Sequence, residues 1–132
     1  MTPPILTAFY AGLLALIYLS LTWAVISRRR GHKISLGDGG DEKFAKIIRG
    51  QVNAAEQMPF IIIMLALAEM LGAPAIALHV LGVLAVVGRL LHALHFMGKG
   101  PFVYRPVGML FTLIVSGVLA LGLVVHGAMA AF

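Results

Sequence analysis

Four long apolar stretches, at about 5–27, 44–71, 75–96 and 106–129, constrain this chain more than any other feature. Each exceeds the roughly 20 residues with which a helix crosses the hydrocarbon of a bilayer. A strand of that length exposed to lipid would leave its N–H and C=O groups unsatisfied, so each stretch is expected to be a helix. Of 132 residues, 61% are hydrophobic and 11% charged, against about a quarter charged in a soluble domain. The chain therefore reads as one domain over 1–132, an all-α membrane protein built as a four-transmembrane-helix bundle. The first stretch is not expected to be a signal peptide. It lacks a basic leader, runs past Trp23 and ends in a basic run rather than at a small-residue cleavage site.

Glycine and proline mark the joints. Pro3 and Pro4 precede the first helix, and Gly37, Asp38, Gly39 and Gly40 form the first loop. Gly72 and Pro74 make a connection so short that helices two and three must form an antiparallel hairpin. Gly98, Gly100 and Pro101 break the chain before the fourth helix, whose first turn accommodates Pro106. Seven of the cations, Arg28, Arg29, Arg30, Lys33, Lys43, Lys46 and Arg49, lie in or beside the first loop. Lys99 and Arg105 lie in the third, and the second loop and both tails have none. The positive-inside rule then puts loops 28–43 and 97–105 in the cytoplasm and both termini outside.

The net charge of +5 is accounted for by these membrane-flanking residues. No basic stripe interleaved with aromatics suggests nucleic acid. The absence of cysteine excludes disulfides, thiolate metal sites and a cysteine nucleophile, so any thiol in the chemistry must arrive with a ligand.

Polar groups at membrane depth carry the functional signal. Arg49, Asn53 and Glu56 follow i, i+4, i+7 spacing and share a face of helix two. Glu56 needs a partner there, because a bare carboxylate in lipid is costly. Arg89, at a similar depth on helix three, is expected to pair with it within or between subunits. Pro59 frees the carbonyl near Ala55, which could hold a ligand or water. Helices two and four both start at the basic side with their N–H groups unpaired, Arg49 near one start and Arg105 at the other. With one of Arg28–Arg30, these groups make a site for an anion. Gly82, Ala85 and Gly88 suit close helix approach. His92 and His95 could hold a metal in principle, but no Glu-x-x-His box accompanies them and none is expected.

The stretch Arg49-Gly50-Gln51-Val52-Asn53-Ala54-Ala55-Glu56-Gln57-Met58-Pro59 resembles the signature of the MAPEG family, the membrane-associated proteins in eicosanoid and glutathione metabolism. The resemblance covers nearly the whole chain: four helices of matching length, the basic end of helix one, Arg89 on helix three and Arg105 at helix four. It is strongest to short bacterial members. It implies a homotrimer in a bacterial inner membrane, with glutathione bound between subunits near the cytoplasmic face. By position, Arg49, Asn53 and Glu56 match residues that hold the glutathione backbone, and Gln51 matches a further contact. Arg105 matches an arginine that meets the sulfur, and Arg29 a basic residue at the end of helix one; both are the implied catalytic residues. His92 is included among the ligand-binding residues. Arg89 matches an arginine read as structural.

The chemistry agrees with that implication. Guanidinium forks suit the two carboxylates of glutathione, Glu56 could receive its ammonium, and a cation beside the thiol raises the thiolate fraction. The implied activity is a glutathione-dependent transferase or peroxidase acting on an apolar electrophile. The chain departs from the conjugating relatives where Gln57 and His92 replace tyrosines and Phe96 replaces another aromatic hydroxyl. Two other readings stand beside it. One is a non-catalytic binder or scaffold on the same frame. The other is a small proton-coupled transporter, against which helix one has no acidic residue.

Overall fold

The computed structural model describes residues 3–131; residues 1, 2 and 132 of the expected domain lie outside the described part. The chain folds into four helices, α1 (Ile5–His32), α2 (Glu42–Met70), α3 (Ala75–Phe96) and α4 (Tyr104–Ala131), with no strand among the described residues. All four are long and apolar enough to cross a membrane. The bounds of α3 are those expected. By contrast, α1 runs past Ser27 through the whole basic run, and α2 and α4 begin before their apolar stretches do. Hydropathy marks where lipid ends, whereas a helix ends where backbone hydrogen bonding is redirected.

Those redirections are specific. Lys33 takes a left-handed conformation with φ 53°. The Lys33 and Ile34 N–H groups then turn back to the carbonyls of Arg30 and Arg29 at 3.4 and 3.0 Å, closing α1 in a left-handed cap. Asp41 starts α2: its Oδ1 accepts from the N–H groups of Lys43 and Phe44 at 2.9 and 3.2 Å. Its other oxygen accepts from Arg28 Nη2 at 3.1 Å. One carboxylate thus caps α2 and ties it to the end of α1. The Phe44 N–H, then Arg28 and the Lys43 N–H, hold Asp41 below the usual carboxylate range. In the hairpin between α2 and α3, Gly72 has φ +85°, and the Ala73 N–H reaches back to the Ala68 carbonyl at 3.0 Å. Such a conformation favours glycine.

Buried residues form one stripe per helix. On α1 these are Tyr10, Leu14, Ile17 and Leu21, and on α4 Gly108, Thr112, Val115 and Leu119. Both follow the i, i+4, i+7 pattern of a helix with one face inward. α2 and α3 form the middle of the bundle, and α1 and α4 each pack against both of them. Leu14, Ile17 and Leu21 pack on Ala54, Met58 and Ala93 towards the basic end. Tyr10, Ile61, Leu65, Leu78, Val115 and Leu119 cluster towards the other.

Close helix contact depends on the small residues expected for it. A Cβ on Gly82 would strike the Tyr10 ring. Gly88 and Gly108 face each other across α3 and α4: a Cβ on Gly88 would lie 3.0 Å from the Gly108 carbonyl oxygen, and one on Gly108 2.9 Å from the His92 backbone nitrogen.

Two expectations follow. Gly108→Val should force α4 away from α3 and lower stability by about 1–3 kcal/mol. Gly117→Ala in the same helix, where the added Cβ meets nothing within 4 Å, should be neutral or slightly stabilising; thermal unfolding of the two variants in detergent compares them. For Asp41 the folded pKa is depressed, so its capping contribution is complete above the unfolded-state pKa and is lost as pH falls through the folded one. Amide exchange at Lys43 and Phe44, taken relative to the intrinsic rate at each pH, should accelerate over that acid window in the wild type. In Asp41→Ala it should be fast throughout.

Candidate functional site

At the basic end of the bundle, α2, α3 and α4 enclose a cleft of about 330 Å³. α2 contributes Arg49 and Asn53, α3 contributes His92 and Phe96, the third loop contributes Phe102, and α4 contributes Arg105 and Met109. The helices place them by periodicity. Arg49 and Asn53 are one turn apart on α2, and His92 and Phe96 one turn apart on α3. Gly50 lets Phe96 close against α2, since a Cβ there would overlap the Phe96 ring. Arg105 lies over that ring, its guanidinium carbon 5.7 Å from the centroid, within range for a cation–π contact. The His92 ring stacks on Phe96 at 4.6 Å.

Arg89 stands behind the cleft with no exposed surface. Its Nη2 donates to Asn53 Oδ1 at 2.9 Å and, over 3.4 Å, to His92 Nδ1. Its Nε and Nη1 have no hydrogen-bond partner among the described residues. The expected pairing of Arg89 with Glu56 is not formed within the chain. The i+7 spacing turns Glu56 outward on the exposed face of α2 with Arg49, while Arg89 points inward from α3. Among the described residues the one ion pair is Arg28–Asp41.

The sequence-derived residues therefore divide. Arg49, Asn53, His92 and Arg105 come together in one cleft. Gln51 does not join them: its Nε2 donates to the Tyr18 hydroxyl of α1 at 3.0 Å. Glu56 is exposed on the outside of α2. Arg29 is bound into the first loop, donating to the carbonyls of Ser35 and Gly37 at 3.4 and 3.0 Å and lying 5.4 Å over the Phe44 ring. Pro59 lies on the α1–α2 face beside Tyr18 and Met58, away from the cleft. Tyr104 packs its ring where a Cβ on Gly100 would be.

Sequence reasoning missed Phe102 and Met109, which lie outside the Arg49–Pro59 signature. Phe102 follows the helix-breaking Pro101 and precedes Arg105 by one turn, the only local hint that it would fold back over the cleft. It also missed the role of Glu69 at the far end. Both Glu69 oxygens accept backbone N–H groups of α1, from Leu6 at 2.8 Å and Thr7 at 2.7 Å. They cap a helix whose own N-cap residue, Pro4, offers no side-chain bond. Nearby, the Tyr10 hydroxyl and His79 Nδ1 are 2.8 Å apart. These contacts join residues more than 60 positions apart, and no local spacing announces them.

A polytopic α-helical membrane protein with a cationic cleft at its basic end is the class these features define. The chain belongs to the MAPEG family, whose family model matches residues 7–125. Among curated proteins it is similar to the inner membrane protein YecN of Escherichia coli K12, at 34% identity over 86 residues. That alignment covers 65% of this chain and 66% of the relative, just short of two thirds of its length. The protein of the same name from Escherichia coli O6:H1 matches equally well.

The double cap at Glu69 yields a prediction. Glu69→Gln keeps the shape but offers one acceptor oxygen instead of two charged ones, and should lower bundle stability by about 1–2 kcal/mol, most of it at the start of α1. Thermal unfolding, with amide exchange at Leu6 and Thr7, measures both parts.

Proposed function

We propose that this protein binds glutathione in the cleft between α2, α3 and α4 and activates its thiol toward an apolar electrophile or a peroxide in the membrane. The observation that carries the reading is the convergence of Arg49, Asn53, His92 and Arg105 from three helices on one cleft, in a chain of the MAPEG family. Two arginines suit the carboxylates of a small peptide. A guanidinium close to the thiol favours its thiolate, the nucleophilic form. In conjugation the sulfur forms a bond to the electrophilic carbon, and the leaving group departs with the displaced electron pair. In peroxide reduction two glutathiones are oxidised to the disulfide while the O–O bond breaks to alcohol and water.

The assembly we propose is a homotrimer, and the surface of the single chain supports association. Arg49 and Glu56 are both exposed on α2, within a helix apolar enough to span the bilayer. Lipid is a poor solvent for both. A second copy applied to this face would cover them and could bring its own Gln51 and Arg29 towards the cleft. Glu56 then becomes available to the ammonium of glutathione.

The charge distribution supports an inner-membrane protein with the cleft at the cytoplasmic face. The chain has no cysteine, so single substitutions report on orientation. Ser35→Cys should react with an impermeant maleimide only from the cytoplasmic side and Ala130→Cys only from the other; the reverse pattern would invert the topology.

Calorimetric titration of glutathione tests the binding. Wild-type protein should bind at millimolar concentrations or below, with Arg49→Ala and Arg105→Ala each weakening binding about tenfold or more, as expected for a lost charge-assisted hydrogen bond of about 1.5–3 kcal/mol. Folded protein that takes up no glutathione would end this reading. The missing aromatic hydroxyls at Gln57, His92 and Phe96 favour one alternative, a non-catalytic anion binder on the same frame. Binding without turnover across an electrophile and hydroperoxide screen would select it.

A further inference from the structure

Arginine has five N–H donors and no acceptor, and this decides the chemistry of the two side chains that touch Arg89. The atom of Asn53 that lies 2.9 Å from Arg89 Nη2 must be its oxygen, so the amide NH₂ is the group left for the cleft. The atom of His92 facing the same Nη2, at 3.4 Å, is Nδ1, and to accept from Arg89 it must carry a lone pair. The imidazole is then neutral, with its proton on Nε2. Nη2 bears two hydrogens, one for each neighbour. Among the described residues the charged side chains lining the cleft are Arg49 from α2 and Arg105 from α4, and no carboxylate lines it.

We propose that Arg89 is a positioning residue that locks Asn53 and His92 as donors, so that the polar wall of the cleft consists of donors only and selects an acceptor-only anionic group, a thiolate or a carboxylate. The proposal rests on the glutathione reading for the identity of the ligand, but not for the state of the wall. It also gives His92 a defined role, since an Nε2–H can donate to an anion without an aromatic hydroxyl. Arg89 does this from a position where it touches no ligand, having no exposed surface.

Nitrogen-15 spectra of histidine-labelled protein in micelles, assigned with His92→Phe, read the tautomer directly. Wild-type His92 should show an unprotonated Nδ1 and a protonated Nε2 at neutral pH. In Arg89→Gln the signal should move to a mixture of tautomers while the other histidines stay in place. A wild-type His92 with its proton on Nδ1, or an unchanged tautomer in a folded Arg89→Gln, would overturn the proposal whether or not glutathione binds. Should Arg89→Gln fail to fold, the wild-type spectrum still decides the tautomer, and Asn53→Asp decides the donor wall. That variant keeps the shape and gives Arg89 a counter-charge, so it should be at least as thermostable as the wild type. It replaces a donor by an acceptor and should weaken glutathione binding at least about tenfold; wild-type affinity would refute the donor-only wall. Ligand analogues identify the occupant through double-mutant cycles with His92→Phe. Non-additivity with S-methylglutathione assigns the thiolate, and with γ-glutamylcysteine the glycyl carboxylate. Full additivity with both, and with γ-aminobutyryl-cysteinylglycine, which lacks the glutamyl carboxylate, would show that His92 meets none of the three anionic groups and would refute the proposal. Failure of wild-type glutathione binding would end the functional reading alone, leaving the tautomer result to stand on its own.

Discussion

A guanidinium with no exposed surface lies at the junction of α2 and α3, and the arrangement of the basic half of the bundle depends on it. Burial of a charge in a lipid-embedded bundle requires nearby acceptors. Here the partner is the neutral amide of Asn53, not a carboxylate. The bond joins the two central helices at one register, and the remaining Arg89 hydrogen on Nη2 reaches His92. Shifting α2 against α3 by one residue would move Asn53 some 100° round its helix and leave the cation without an oxygen.

The close approach of α3 and α4 then completes the cleft. Gly88 and Gly108 let the two backbones meet, which carries Arg105 and Phe102 to the side of α3 that holds His92 and Phe96. The cationic site is thus a product of packing as much as of charge. Two arginines more than 50 residues apart in sequence line one cleft because glycines at the crossing have no side chain to hold the helices apart. The opposite end of the bundle is fastened by different means, with Glu69 capping α1 and Tyr10 meeting His79.

The outward face of α2 has a different character. Arg49 and Glu56 sit on it, exposed in the single chain, and Gln51 is drawn aside to Tyr18 of α1. The family signature therefore serves two surfaces. Arg49 and Asn53 contribute to the cleft of their own chain. Glu56 and Gln51 look away from it, which on the proposed reading makes them contributions to a neighbouring copy. One helix supplying both surfaces would make the site incomplete without association.

Hydropathy and charge determined the four helices, the α2–α3 hairpin and the segregation of cations to one end, because lipid imposes a length and a polarity that can be read residue by residue. The signature Arg49–Pro59 was likewise legible, as were the small residues at Gly82 and Gly88. Helix ends were less so: α1 continues through Arg28–Arg30 because nothing in a basic run breaks a helix until Lys33 turns left-handed. The partner of Arg89 could not be read at all. Glu56 and Asn53 lie on neighbouring turns of α2, and opposite charge made Glu56 the natural expectation. Only the rotation of α2 against α3, fixed by Leu14, Ile17 and Leu21 on Ala54, Met58 and Ala93, turned the amide inward and the carboxylate out. Sequence spacing specifies which residues share a face of one helix; which face meets which neighbour is settled by the packing of all four.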